Sequence, residues 1–316
     1  MCGICGVLCE KVNDFPIGSM LEKMMASQQI RAQDSTGVAI YSPDIENNGG
    51  SNNDIHGSTV RLQYFIENQE GAYQLCEEKV LTTSSSTSTE EGEELKKLLN
   101  SLQSNPHITI TSLSRNMKLV KDIGLTRDLN SRYKIRAMHG SHGIGHLRIA
   151  TSSRVTPYNA HPFSTTIMPD IAIVHNGEIT NYSRLRDELE LEGYPFYTTC
   201  DSEVIAVFIA DQLLRNGNDI EKAHCEFVRR ADGPFTYIAA TPTSMALVRD
   251  RFGSRKGVIG YNPGSSGNNN NNNDGGDYPD FWAMATDLSA LDLVGATDHI
   301  ETPSPGRPRI FYRSDT

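Results

Sequence analysis

Cys2 stands directly behind the first methionine in the opening stretch MCGICGV. Methionine is trimmed readily ahead of a small residue, and a chain beginning at Cys2 carries a thiol and a free α-amine on one residue. The amine has a reference pKa of roughly 7.7–8, so near neutral pH it can act as base for its own side chain. An incidental cysteine at a frayed terminus is the bland alternative. Four further segments bear on the choice. IRAQDSTGVAIYS (30–42) sets Arg31 and Asp34 just ahead of a strand, and GIGHLRIATSS (143–153) puts Arg148 in an otherwise apolar strand near Thr151. IVHNGEITNY (173–182) ends an apolar strand in Asn176-Gly177, and TTCDSEVIAVF (198–208) places Asp201 and Ser202 at a helix start. Each has an ordinary reading as well. Asn-Gly forms type I′ hairpin turns, Asp caps helices, and a buried arginine often serves a structural ion pair.

The elements that must hold these residues are mostly strands, with a few helices. Strands are expected at 2–9 and 37–41, and a helix at 17–30 with Ile17, Met20, Leu21, Met24 and Met25 on its core face. Between 43 and 130 the pattern weakens. SPDIENNGGSNND and TTSSSTSTEEGEE (82–94) read as exposed loops, while Tyr64, Phe65, Ala72 and Leu75 hint at a helix. EELKKLLNSL followed by HITITSL predicts a helix and then a strand. Beyond 143, IGHLRIAT, IAIVHNG, PFTYIAAT and MALVRD predict strands. Helices are expected at 181–192, with Leu185 and Leu189 on one face, and at 202–215, with Val204, Val207, Phe208 and Leu214 on one face. The asparagine run 268–273 separates GVIGY from FWAMAT and reads as an extended hairpin tip. Composition does not change regime, so residues 1–316 are expected to form a single domain with insertions at about 43–130 and 262–280.

A net charge of −10 argues against nucleic acid, which requires a basic face. No apolar run approaches the roughly 18 residues of a membrane span, and no basic stretch followed by an apolar one marks a signal peptide. The six cysteines (2, 5, 9, 76, 200, 225) are unevenly spread, which suits a reducing compartment and a cytoplasmic address. Cys2, Cys5 and Cys9 lack a clear fourth ligand, so no metal is expected. GSHGIG lacks the Lys-Ser/Thr ending of a phosphate loop.

Taken together and in this order, the Cys2-Gly-Ile start, the R-x-Q-D-S-x-G block, G-H-x-R-x-A-T, H-N-G-x-x-x-N and D-S-E resemble the class II glutamine amidotransferases. Within that class, HGSHGIGHLRIATSSRVTPYNAHPFST, VHNGEITNYSRLRDELELEGYPFYTTCDSE and LVRDRFGSRKGVIGY most resemble glutaminase subunits of split glutamate synthases, including N-methylglutamate synthase. The resemblance implies an α+β fold, the N-terminal-nucleophile four-layer αββα sandwich with surface insertions. It also implies hydrolysis of L-glutamine to glutamate and ammonia through a Cys2 thioester.

The residues suit that chemistry. Asn176 can offer a side-chain N–H and Gly177 a backbone N–H to the developing oxyanion, worth roughly 3–4 kcal/mol each. Arg148 can hold the α-carboxylate as a bidentate pair, and Asp201 the α-ammonium. The resemblance assigns Arg31 to shaping the nucleophile pocket, Thr151 to lining the glutamine site, and His175 and His146 to its neighbourhood. His139, His142 and His161 are expected to be structural or pocket-shaping. Ala32 stands where the family often has glycine, and Leu147 where it often has threonine. A chain that releases ammonia without an acceptor site implies an ammonia-accepting synthase subunit, which would itself hold FMN and an iron–sulfur cluster. No cofactor is expected in this chain, and the 31–36 loop is the expected gate. Service to another acceptor such as a phosphoribosyl or sugar phosphate, or a catalytically silent scaffold, are the alternatives.

Overall fold

A computed structural model describes residues 2–42, 57–83, 89–150, 154–264 and 279–314. Its elements run β1 (Gly3–Cys9), α1 (Ile17–Gln28), β2 (Ser35–Tyr41), β3 (Gly57–Glu67), β4 (Tyr73–Thr83), α2 (Thr89–Gln103), β5 (Ile108–Ser114) and β6 (Met117–Ile123). Then come α3 (Thr126–Tyr133), β7 (His142–Arg148), β8 (Phe163–Ser164), β9 (Ala172–Gly177), α4 (Tyr182–Leu191), α5 (Asp201–Arg215) and α6 (Ile220–Arg230). The chain continues through β10 (Phe235–Thr241), β11 (Ser244–Arg249), β12 (Val258–Asn262), β13 (Phe281–Ala285), α7 (Leu288–Leu293), β14 (Asp298–Glu301) and β15 (Arg309–Tyr312).

The strands form a seven-stranded sheet ordered β14-β12-β13-β1-β7-β2-β6, a five-stranded sheet ordered β15-β11-β10-β9-β8, and a three-stranded sheet ordered β4-β3-β5. β1 is the middle strand of the largest sheet, and all seven of its residues are buried. Its unbroken apolar stretch, without polar alternation, follows from having both faces covered. One face meets α1 and α7 in a core that includes Cys5, Val7, Leu21, Met24 and Leu291. Ile4, Leu8 and Ile144 on the other face share a core with Val174, Ile238 and Leu247 of the five-stranded sheet. The outer face of that second sheet, through Ile173, Tyr237 and Val248, packs on Leu185, Phe208 and Phe227 of α4, α5 and α6.

Three local expectations are corrected. The apolar residues near 64–75 form a hairpin rather than a helix, with Tyr64 opposite Cys76 and Phe65 opposite Leu75. Val60, Leu62 and Tyr64 are buried at strand spacing, and the Asn68 carboxamide oxygen accepts from the N–H groups of Glu70 and Ala72 to close the turn. Residues 89–94, expected in an exposed loop, begin α2. In α5 the buried residue near the C-terminus is Leu213, while Leu214 is exposed. β12 and β13 pair antiparallel as the two arms of the expected hairpin; the asparagine run 268–273 lies outside the described residues. Among the described residues no helix is long and apolar enough to cross a membrane.

Buried imidazoles give the fold a pH dependence. His142, stacked on Tyr41, and His146 and His224 are each fully enclosed, and burial pushes each of them down to about 3. An unfolded chain takes up these protons near pH 6.5, whereas the native protein does not until about 3. Their contribution is therefore intact above the unfolded value and declines as pH falls, by roughly 1.4 kcal/mol per pH unit for each imidazole. The urea midpoint is expected to drop steadily below pH 6.5, with a shallower slope in His224→Gln. A midpoint that is flat down to pH 4.5 would refute the neutral imidazoles.

Candidate active site

The strand registers bring the chemistry-bearing residues to one end of the facing sheets. Gly3 pairs with Leu147 and Ser35 with Arg148, so Cys2 emerges beside the end of β7. Ile4 faces the core between the two sheets. Cys2, two residues earlier, shares that face because strand side chains alternate. Arg148 lies on the same face as Ile144, and Asn176 on the same face as Ala172 and Val174 across the core. The Cys2 Sγ lies 3.8 Å from the carbonyl oxygen of Ile149. Burial raises the Cys2 thiol; the Arg148 charge works against that rise and the Asp201 carboxylate adds to it, so both charges reach the sulfur.

Asn176 and Gly177 pair with Thr236 and Phe235 inside the β9–β10 ladder, so they are not a two-residue hairpin turn. Gly177 has φ 143°, and a Cβ there would sit 2.1 Å from the Pro234 carbonyl oxygen, so only glycine fits. The Asn176 side chain is buried. Asp201 opens α5 but does not cap it; Cys200 holds the cap position without a side-chain bond. Instead, Asp201 Oδ2 accepts from the Ile179 N–H at 3.0 Å, and Oδ1 accepts from the Ser202 hydroxyl at 3.2 Å. The carboxylate thus ties α5 to the chain just past Gly177. Arg148 is buried, and its Nη1 donates to the Arg154 carbonyl at 3.3 Å.

Arg31 lies in a single 3-10 turn behind α1, its guanidinium paired with Asp287. Neighbouring Thr286 brackets the start of β1, its hydroxyl accepting from the Ile4 N–H and its own N–H donating to the Ile4 carbonyl. Arg31 therefore braces the strand that carries Cys2. His175 takes a place behind the site, since its ring faces α5 and its Nδ1 lies 2.8 Å from the Ser202 hydroxyl. Thr151 lies outside the described residues. The expected 31–36 loop is shorter than its sequence suggests, because residues 35 and 36 already belong to β2. Asp34 is fastened at both ends, its N–H to the Arg148 carbonyl at 3.0 Å and its Oδ2 to the Ala150 N–H at 2.7 Å.

Sequence reasoning missed Lys121. It is fully buried in β6, and its Nζ donates to the carbonyls of Tyr158, Ala160 and Pro162 at 3.0, 2.9 and 3.1 Å. Burial pushes its ammonium down to about 7, while three carbonyl acceptors favour the charged form. No short-range pattern marks such a lysine, because its partners lie about forty residues further along. All six cysteines are free thiols, and no group of three acidic, cysteine or histidine residues suited to a metal occurs among the described residues.

Comparison with known proteins fits this geometry. A glutamine amidotransferase domain profile matches residues 146–266. A candidate glutamine amidotransferase of Methanothermobacter thermautotrophicus is 31% identical over 329 aligned positions, covering 98% of this chain and 99% of its own length. The glutamine amidotransferase-like protein GlxB of Rhizobium meliloti is 31% identical, with 82% of this chain and 85% of that protein aligned. Among solved structures, glutamine phosphoribosylpyrophosphate amidotransferase from B. subtilis superposes with a TM-score of 0.58 at 18% identity. The match covers 99% of this chain but half of that one, and it shows a shared α+β fold.

Proposed function

We propose that this chain, which belongs to the class II glutamine amidotransferases, hydrolyses L-glutamine to glutamate and ammonia at Cys2. The observation that carries the reading is the meeting of strand ends, which sets Cys2 beside the Arg148 end of β7 and Asn176 on the facing strand β9, with the Arg148 and Asp201 charges both acting on the Cys2 thiol. With the initiator methionine removed, the α-amine of Cys2 accepts the thiol proton as sulfur attacks the side-chain amide carbon. The negative charge then developing on the amide oxygen meets the Asn176 side-chain N–H and the Gly177 N–H. The C–N bond breaks and ammonia leaves with the proton returned by the amine, and a γ-glutamyl thioester remains. Water, deprotonated by the same amine, attacks the thioester; the C–S bond breaks, and glutamate and the free thiol are restored. Arg148 holds the α-carboxylate of glutamine and Asp201 its α-ammonium, with Thr151 lining the pocket, Arg31 shaping it, and His175 supporting it from behind.

The three core clusters support an N-terminal-nucleophile sandwich of two sheets between helical layers, read as one domain with surface insertions. Ammonia released into water is lost to protonation and dilution. The chain is therefore read as a cytoplasmic glutaminase subunit that passes ammonia to a glutamate synthase-like partner, and FMN and an iron–sulfur cluster belong to that partner. The test is glutamate release by the processed chain alone and with whatever subunit co-purifies from the native cell. Docking that stabilises the competent state by about 2 kcal/mol raises turnover roughly thirtyfold. Equal turnover would leave a stand-alone glutaminase, and none in either case would leave a silent scaffold.

A further inference from the structure

Behind the Asp201 carboxylate, two buried imidazoles meet a single hydroxyl, and a third stacks on one of them. The Ser202 Oγ lies 2.9 Å from His161 Nε2, 2.8 Å from His175 Nδ1 and 3.2 Å from Asp201 Oδ1. A hydroxyl has one proton and two lone pairs, and a carboxylate can only accept. The Ser202 proton therefore goes to Asp201, and both imidazole nitrogens donate to the Ser202 oxygen. This assigns the Nε2–H tautomer to His161 and the Nδ1–H tautomer to His175. His146 Nε2 donates to the His175 carbonyl at 2.9 Å, and its ring stacks on His161 at 3.9 Å.

The remaining ring nitrogens are His146 Nδ1, His161 Nδ1 and His175 Nε2. Each is buried without a hydrogen-bond partner among the described residues. A lone pair tolerates such a place at far less cost than an N–H would. Burial pushes all three imidazoles below their ordinary range, as neutral rings require. Lys121 supports the cluster through the carbonyls on either side of His161.

The geometry points to Ser202 as a positioning residue: its hydroxyl, held by the His161 and His175 N–H groups, fixes the Asp201 carboxylate for the α-ammonium of the substrate. The inference rests on the reading of Asp201 as the ammonium subsite. With Oδ2 already held by the Ile179 N–H, the Ser202 bond locks the carboxylate from both sides. Its outward lone pairs are aimed before substrate arrives, so binding need not order them.

Ser202→Ala is expected to raise the KM for glutamine about tenfold while kcat stays within about twofold of wild type. 4-Carbamoylbutanoate, which is glutamine without its α-amine, is expected to inhibit wild type and Ser202→Ala with equal constants, because Asp201 then has no ammonium to meet. An unchanged glutamine KM overturns the inference. So does equal weakening toward both molecules, which marks a general structural role. Nitrogen-15 spectra of the imidazoles read the hub independently of turnover, and a His161 proton on Nδ1 or a His175 proton on Nε2 overturns it. A wild-type protein with the expected tautomers that does not hydrolyse glutamine strikes the glutaminase reading instead.

Discussion

Replacing Cys2 by alanine is expected to abolish glutamine hydrolysis, a loss on the order of 10⁴ or more. Neither Cys5 nor Cys200 can substitute. Cys5 and Cys200 are buried, and burial pushes both up to about 12, leaving almost no thiolate at neutral pH. The Cys2 thiol is itself raised by burial, so it needs a base at the moment of attack. In the proposed mechanism the α-amine of a chain beginning at Cys2 supplies that base, and kcat/KM is expected to rise with pH through roughly 7.7–8. Mass and peptide mapping after treatment with a glutamine-analogue electrophile decide the matter. Labelling at Cys5 or Cys9, or full activity with Met1 retained, would overturn the assignment.

Asn176→Ala is expected to lower kcat by roughly 10²–10³ with little change in the KM for glutamine. The split follows from the placement of Asn176. It sits on β9, which faces β1 across the core, and in the proposed mechanism charge appears beside it only in the transition state. Arg148→Lys should show the opposite signature, a markedly higher KM, because a point charge loses the bidentate grip on a carboxylate. If both variants keep wild-type constants, the oxyanion and carboxylate assignments are wrong.

Where the candidate site residues lie in the fold was legible in the sequence for a physical reason. Arg148 and Asn176 end apolar strands and Asp201 opens a helix, and hydrophobic periodicity marks such boundaries well. The hairpin at 57–83 was less legible, since Tyr64, Phe65, Ala72 and Leu75 also satisfy helical spacing. β14 and β15 are short and largely exposed, and pairing rather than local pattern makes them strands. The support behind the site could not be read at all. Ser202 acquires its partners from the chain near residues 161 and 175, and Lys121 from the chain near 160. Only the folded register brings those segments together.

The position of β1 has a consequence for biosynthesis. β1 precedes every other element in the sequence, yet one of its two neighbours is β13, and the bond from Ile4 to Thr286 spans 282 positions. Pairing at such range is slow, because the whole intervening chain must be closed into a loop before any contact rewards it. While the chain is still leaving the ribosome, β1 waits without its β13 partner. A polypeptide cut short before Phe281 lacks one of the two strands that pair with β1.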